Sequence, residues 1–246
     1  MEISVIASGS NGNCCIVEEK GTSIMIDAGK SIKEIEKRMN KLGKSIENLN
    51  AILLTHSHID HSMSAGAISR RFKIPLYLTS ETYKEISGTL HNAEIKRFSA
   101  KSHFHINGVA IKPVETSHDV PTCGFVIGNF GIFTDTGIAT DGMKESIPNL
   151  KGVLLESNHD IDMLINGPYP PYLKYRILSS HGHLNNIVAS QLLEDKGKGL
   201  SFALLGHLSE INNSPKIAHE TFETIVRKKI ECAVCSREKE TGVWEL

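Results

Sequence analysis

Three imidazoles and one carboxylate fall within six residues of the stretch Thr55-His56-Ser57-His58-Ile59-Asp60-His61, directly after the apolar run Ala51-Ile52-Leu53-Leu54. The run reads as a short buried strand, which places the polar cluster at the strand's C-terminal end. Ring nitrogens and carboxylate oxygens are costly to bury without partners, and a metal ion satisfies several of them at once. In an extended or tightly turning segment His56 and His58 share a face, because side chains two apart point the same way. Asp60 and His61 come after the turn begins and face a second point nearby. This spacing suggests two metal ions and argues against a His-rich surface loop.

At 246 residues the chain is long enough to bury a sizeable core as one α/β domain or two small ones. A hydrophobic fraction of 40% and a charged fraction of 22% are those of an ordinary globular protein. The formal net charge of −1 supplies no bulk basic field, so any nucleic-acid binding has to depend on a local patch. No apolar run of about 20 residues occurs, and Met1-Glu2-Ile3 leads straight into a strand, so the expectation is a cytoplasmic protein without a membrane segment. The cysteines Cys14, Cys15, Cys123, Cys232 and Cys235 are odd in number and read as buried and reduced. In a strand, Cys232 and Cys235 would lie on opposite faces, which discounts that pair as a metal site.

Along the chain, Ile3 to Ala7, Cys14 to Glu18 and Ser23 to Ile26 read as strands, with Ser8-Gly9-Ser10-Asn11-Gly12-Asn13 and Lys20-Gly21 as turns. Asp27, closing the third strand, is a candidate support for a liganding His or a plain strand-end Asp. Ser31 and Glu34 form a capping-box pattern for a helix through Lys41, whose Lys33, Lys37, Arg38 and Lys41 read as a solvated basic face. Helices are expected over 63–71 and 80–86, and strands over 75–78, 95–98, 104–106, 109–114, 123–127 and 131–134. The second half repeats the alternation. Strands are expected at 153–155, 202–205 and 232–234, and helices at about 160–165, 172–179, 184–194 and 215–228. Two β-rich halves with helices and no low-complexity linker imply two sheets packed face to face with helices outside.

Each half offers further ligand types directly after an apolar strand: His118 after Ile111 to Val114, Asp135 after Gly131 to Thr134, and His207 after Phe202 to Gly206. Any one alone has a bland reading as a turn residue. The arrangement His-x-His-x-Asp-His, with those three in that order, resembles the metallo-β-lactamase superfamily. The resemblance implies a single domain over 1–246 with the four-layer αβ/βα sandwich fold. It also implies a dinuclear centre in which His56, His58 and His118 hold one metal, Asp60, His61 and His207 hold the other, and Asp135 bridges them. A donor set of nitrogen and oxygen fits two divalent ions of Zn, Mn or Fe. The superfamily branches that replace His58 by an acid, lack His61 or carry Cys in place of Asp135 are not matched.

Ser8 to Asn13, the THSHIDH cluster, Asn166-Gly167-Pro168-Tyr169-Pro170, Gly182-His183-Leu184 and His207-Leu208-Ser209-Glu210-Ile211-Asn212-Asn213 resemble the YycJ/WalJ-like branch across most of the chain. That branch implies 5′→3′ exonuclease action on DNA, linked to mismatch repair. Only 71 residues separate Asp135 from His207, so the large inserted domain of RNase J-type nucleases is absent. Asp60 and His183 are the implied catalytic groups; His181 is the alternative to His183. His181, Asn212 and Asn213 are candidate substrate contacts. Competing readings are a hydrolase of a small cyclic phosphodiester or a thioester, an iron-dependent oxidoreductase, and a non-catalytic partner that keeps metals for structure.

Overall fold

The structure, a computed structural model, describes residues 1–246. The chain groups into two compact units, residues 1–113 with 236–246, and residues 114–235. In the first unit β1 (Glu2–Ala7), β2 (Cys14–Glu19) and β3 (Thr22–Ile26) form an antiparallel meander. Lys20 and Gly21 link β2 to β3 with φ of 51° and 74°, the left-handed pair that matches the twist of a two-residue hairpin. Helix α1 (Ile32–Lys41) follows, then β4 (Ala51–Leu53), α2 (Ile59–Ser62), α3 (Ala65–Phe72), β5 (Leu76–Leu78), α4 (Ser80–Ile86) and β6 (Ile95–Arg97). From β3 to β6 each new strand adds parallel to the last. The core of this unit packs Ile6, Ile16, Met25, Ile52 and Leu76 of the sheet against Ile35, Met39 and Ile68 of the helices.

The hairpin of β7 (Phe104–Ile106) and β8 (Val109–Glu115) leads into β9 (Cys123–Ile127), β10 (Phe130–Phe133), α5 (Asp141–Ser146), β11 (Gly152–Glu156), α6 (Ile161–Asn166) and α7 (Pro171–Leu178). Then come α8 (Asn186–Lys196), β12 (Phe202–Gly206), α9 (Pro215–Ile225), β13 (Glu231–Val234) and β14 (Gly242–Glu245). The order in one sheet is β14-β1-β2-β3-β4-β5-β6 and in the other β13-β12-β11-β10-β9-β8-β7. Strands β10 to β13 are parallel. The core of the second unit packs Phe133, Val153, Leu155, Ala203 and Leu205 against Leu193, Ala218 and Phe222. No helix is long and apolar enough to cross a membrane. None of the five cysteines is joined in a disulfide.

Most expected elements stand within one or two residues of their expected bounds. The helix expected over 63–71 stands as α3, and a separate short helix, α2, precedes it because the cluster itself enters a helical turn at Ile59. The helix expected over 215–228 stops at Ile225, where Val226 turns extended. Helix α5 and strand β14 are additions to the expected set. Ser31 caps α1 by accepting from the Glu34 amide, as its pattern indicates. Arg38 corrects the basic-face reading. It is 4% exposed, and its guanidinium donates to Glu34 Oε1 at 2.8 Å, the Ile6 carbonyl at 3.1 Å and the Arg237 carbonyl at 3.3 Å.

The loop after β1 is woven into the His-rich cluster by backbone bonds. Asn13 N donates to the Asp60 carbonyl at 2.8 Å, Gly29 N to the Asn13 carbonyl at 2.9 Å and Ala28 N to the His61 carbonyl at 2.7 Å. These stretches of backbone pass so closely that a Cβ on Gly29 would collide with the Asp60 carbonyl oxygen. We therefore expect Gly29→Ala to destabilise the protein by roughly 3 kcal/mol, the upper range for overpacking, as a lower urea midpoint with an unchanged slope.

Candidate metal centre

The parallel strands of each sheet end on one edge, and the ligand types leave from those ends. In the first unit β3 delivers Asp27 and β4 delivers Thr55 and His56. Asp27, at φ 60°, is buried and turned so that its carboxylate reaches back across both segments. Its Oδ2 lies 2.7 Å from His61 Nδ1 and accepts from Thr55 Oγ1 at 2.9 Å, while Oδ1 accepts from the Thr55 amide at 2.9 Å. Thr55 Oγ1 in turn lies 2.9 Å from His56 Nδ1. One carboxylate thus stands behind two rings. His58 begins α2, its ring 4.7 Å from that of His56 in an edge-on contact. Asp60 Oδ2 lies 3.5 Å from His61 Nε2. His56 and His61 are fully buried; His58 and Asp60 are half-buried.

The second unit repeats the device with Glu156 at the end of β11. Its Oε1 lies 2.7 Å from His183 Nδ1 and 2.8 Å from His207 Nδ1, and its Oε2 accepts from the Thr136 amide at 2.8 Å. Burial alone would raise the Glu156 carboxyl, but the His183 and His207 rings against it hold it down at about 2. Asp135 and His207 end β10 and β12 with φ of 55° each, a strained conformation for non-glycine residues that collects at functional sites. Asp135 Oδ1 is 3.5 Å from His207 Nε2 and 3.9 Å from His118 Nε2. His118 Nδ1 faces the Gly182 carbonyl at 3.2 Å. Burial lowers the His118 pKa, with Asp135 acting against it. Asp135, Glu156, His183 and His207 each offer one donor atom, all within 4.8 Å of one another.

A single pattern links both halves. His56, His61, His118 and His207 each turn Nδ1 to an oxygen of the protein, so that Nε2 is the ring nitrogen that could ligate a metal. Such a backing fixes the tautomer and the ring plane and raises ligand basicity, as in carboxylate–histidine–metal arrangements. The donor set is imidazole and carboxylate without thiolate, which suits Zn, Mn or Fe. The residues present fit divalent metals.

The structure also redistributes the candidate residues. His183 joins the His207 group and is half-buried, whereas His181 is exposed, with Nδ1 3.0 Å from Ser180 Oγ. Asn212 and Asn213, the candidate substrate contacts, lie buried in the second unit. Asn212 is 0% exposed. The Asn213 amide donates to the Ser157 and Asn158 carbonyls at 2.9 and 3.0 Å, bracing the turn after β11. His159, expected at the surface or in packing, is a fully buried packing residue. Sequence reasoning missed Glu156, Thr55 and Asn13, whose Nδ2 lies 2.9 Å from His61 Nε2. Glu156 carried the same signal as Asp27, an acid at the end of an apolar strand.

The sequence profile of the metallo-beta-lactamase superfamily matches residues 7–155. The chain belongs to the metallo-β-lactamase superfamily. It is a metal-dependent hydrolase of that superfamily. It is 32% identical over 231 residues to the exodeoxyribonuclease WalJ of Streptococcus pneumoniae serotype 2, covering 89% of this chain and 85% of that one. It is 30% identical over 241 residues to the exodeoxyribonuclease YycJ of Bacillus anthracis, covering 93% and 90%. The crystal structure of the metallo-beta-lactamase fold protein YhfI from Bacillus subtilis superposes with a TM-score of 0.78 over 99% of both chains at 17% identity. The two mixed sheets with their helices are the αβ/βα sandwich of the superfamily.

Two measurements check this site. Glu156→Gln removes the charge behind two rings, and a 10- to 100-fold loss of metal affinity is expected, read by equilibrium dialysis with metal analysis. Burial depresses the His159 pKa from 6.5 to about 4, so the unfolded chain takes up the proton first. The stability contribution of neutral His159 is full above about pH 6.5 and is lost as pH falls toward 4, amounting to about 3 kcal/mol. Urea unfolding of metal-free wild type and His159→Gln between pH 4 and 7 should show the variant lacking that part of the pH dependence.

Proposed function

We propose that the protein is a dinuclear phosphodiesterase that acts on DNA as an exonuclease, in the cytoplasm and in DNA repair. His56, His58 and His118 would hold one divalent metal and Asp60, His61 and His207 the other, with Asp135 as a further ligand. The carrying observation is the uniform presentation of Nε2 by rings whose Nδ1 is held from behind, together with the exodeoxyribonucleases that resemble the chain over most of its length.

Two divalent ions of Zn, Mn or Fe supply Lewis acidity, lower the pKa of water toward neutrality and neutralise the charge of a phosphodiester. The residues of the chain do the rest. Asp27 and Glu156 keep their rings in the ligating tautomer while charge builds at the opposite ring nitrogens. His183 has the Glu156 carboxylate 2.7 Å from Nδ1, which fixes the ring and leaves the other ring nitrogen to give a proton to the departing oxygen. Asp60, half-buried in the first turn of α2, orients the attacking water as well as ligating. A phosphodiester fits this arrangement better than a thioester because its non-bridging oxygens share a negative charge.

Purified protein with Mn²⁺ or Zn²⁺ is expected to shorten end-labelled DNA carrying a 5′-phosphate. Asp135→Ala should abolish the activity, and His183→Ala should slow it by 10²- to 10⁴-fold, the usual worth of a general acid. Turnover of S-lactoylglutathione or cyclic nucleotides in place of DNA, or DNA degradation that survives Asp135→Ala, would overturn the reading.

A further inference from the structure

Helix α7 buries none of its residues. Burial of an apolar face usually supplies most of a short helix's stability, yet here Tyr172 and Tyr175 are 75% and 76% exposed and Leu178 is 44% exposed. Other contacts fix the helix. Pro171 sits in its first turn. Lys174 Nζ donates to the Ile165 carbonyl at 2.7 Å, Arg176 pairs with Asp119, and the Ile177 carbonyl accepts from the His183 amide at 3.0 Å. Gly182 lies so close beneath the last turn that a Cβ there would strike the Arg176 and Ile177 carbonyls. The helix is therefore braced onto the loop that carries His183, with its tyrosines in solvent.

Residues 172, 175 and 178 recur at three-residue spacing, forming one stripe with roughly 4.5 Å of rise between successive members. The segment 171–178 contains Lys174 and Arg176 and no acid. Lys174, whose ammonium donates to a neutral carbonyl, keeps the helix cationic while Arg176 is paired with Asp119, which disfavours a second copy of the same helix as the occupant and favours a polyanion. Exposed aromatic rings beside cations are the means by which proteins hold single strands without reading sequence, since every base has a π-face. We propose that α7 is a stacking platform for the bases of a single-stranded nucleic acid whose phosphate reaches His183. The inference rests on the nucleic-acid reading given above.

The test uses the Mn²⁺-loaded protein and 5′-phosphorylated, fluorescein-labelled oligothymidylates with phosphorothioate linkages, which resist cleavage, followed by fluorescence anisotropy. Wild type should bind an eight-residue oligomer more tightly than a two-residue one. Tyr172→Ala and Tyr175→Ala should each weaken the longer oligomer about tenfold and remove the gain with length, while Tyr172→Phe and Tyr175→Phe retain it. Alanine variants that bind like wild type, a wild type that gains nothing with length, or a wild-type dimer that the alanine variants dissociate in light scattering would each overturn the platform. Wild-type hydrolysis of bis(p-nitrophenyl) phosphate separates the two readings. Turnover without a gain in affinity with length removes the platform and keeps the metal centre, whereas a wild type inert toward that diester and DNA but showing tyrosine-dependent binding removes the catalytic reading and keeps the platform.

Discussion

Two buried carboxylates, Asp27 and Glu156, decide what the remaining site residues can be. Each ends a strand in the parallel part of its sheet; Asp27 faces His61 Nδ1 directly and His56 Nδ1 through the Thr55 hydroxyl, and Glu156 faces the Nδ1 atoms of His183 and His207. Without them the imidazoles would be buried rings with free choice of tautomer, and desolvation would work against any charge at their outer nitrogens. With them the ring planes are set before any metal arrives. The cost is two anions in the interior, which the surrounding backbone amides and rings offset.

The fold makes this arrangement economical. A parallel strand pair sends both of its C-terminal ends to the same edge, so residues far apart in sequence emerge side by side without long excursions. β10, β11 and β12 deliver Asp135, Glu156 and His207 in adjacent lanes. The left-handed backbone of Asp27, Asp135 and His207 is the local counterpart. At each of these positions the chain leaves the strand abruptly, which aims the side chain at the edge instead of along the sheet.

Much of this is legible in the sequence because the physical signals are short-ranged. The Ala51 to Leu54 run and the ligand types behind it define strand and cluster together, and Ser31 with Glu34 marks the start of α1 by chemistry contained in four residues. The unread parts depend on partners distant in sequence. Arg38 looks solvated until the carbonyls of Ile6 and Arg237 are brought to it. Asn212 and Asn213 look like loop amides until the turn at 157–158 closes over them. Strand β14 has too few residues to announce itself without β1 beside it. Helix α5 does carry a local signal in Thr140, whose hydroxyl accepts from the Met143 amide, but the segment is so brief that the signal is easily passed over.

The pairing of β1 with β14 imposes an order on biosynthesis. β1 leaves the ribosome early, while its antiparallel neighbour at residues 242–245 is translated only after the whole of residues 114–235. Once residue 235 is made the second unit has its last strand, whereas β1 still presents an open edge of the kind that recruits foreign strands. Nascent chains stalled before residue 242 would therefore be the aggregation-prone species, and chaperone contact with the emerging polypeptide would be concentrated on β1.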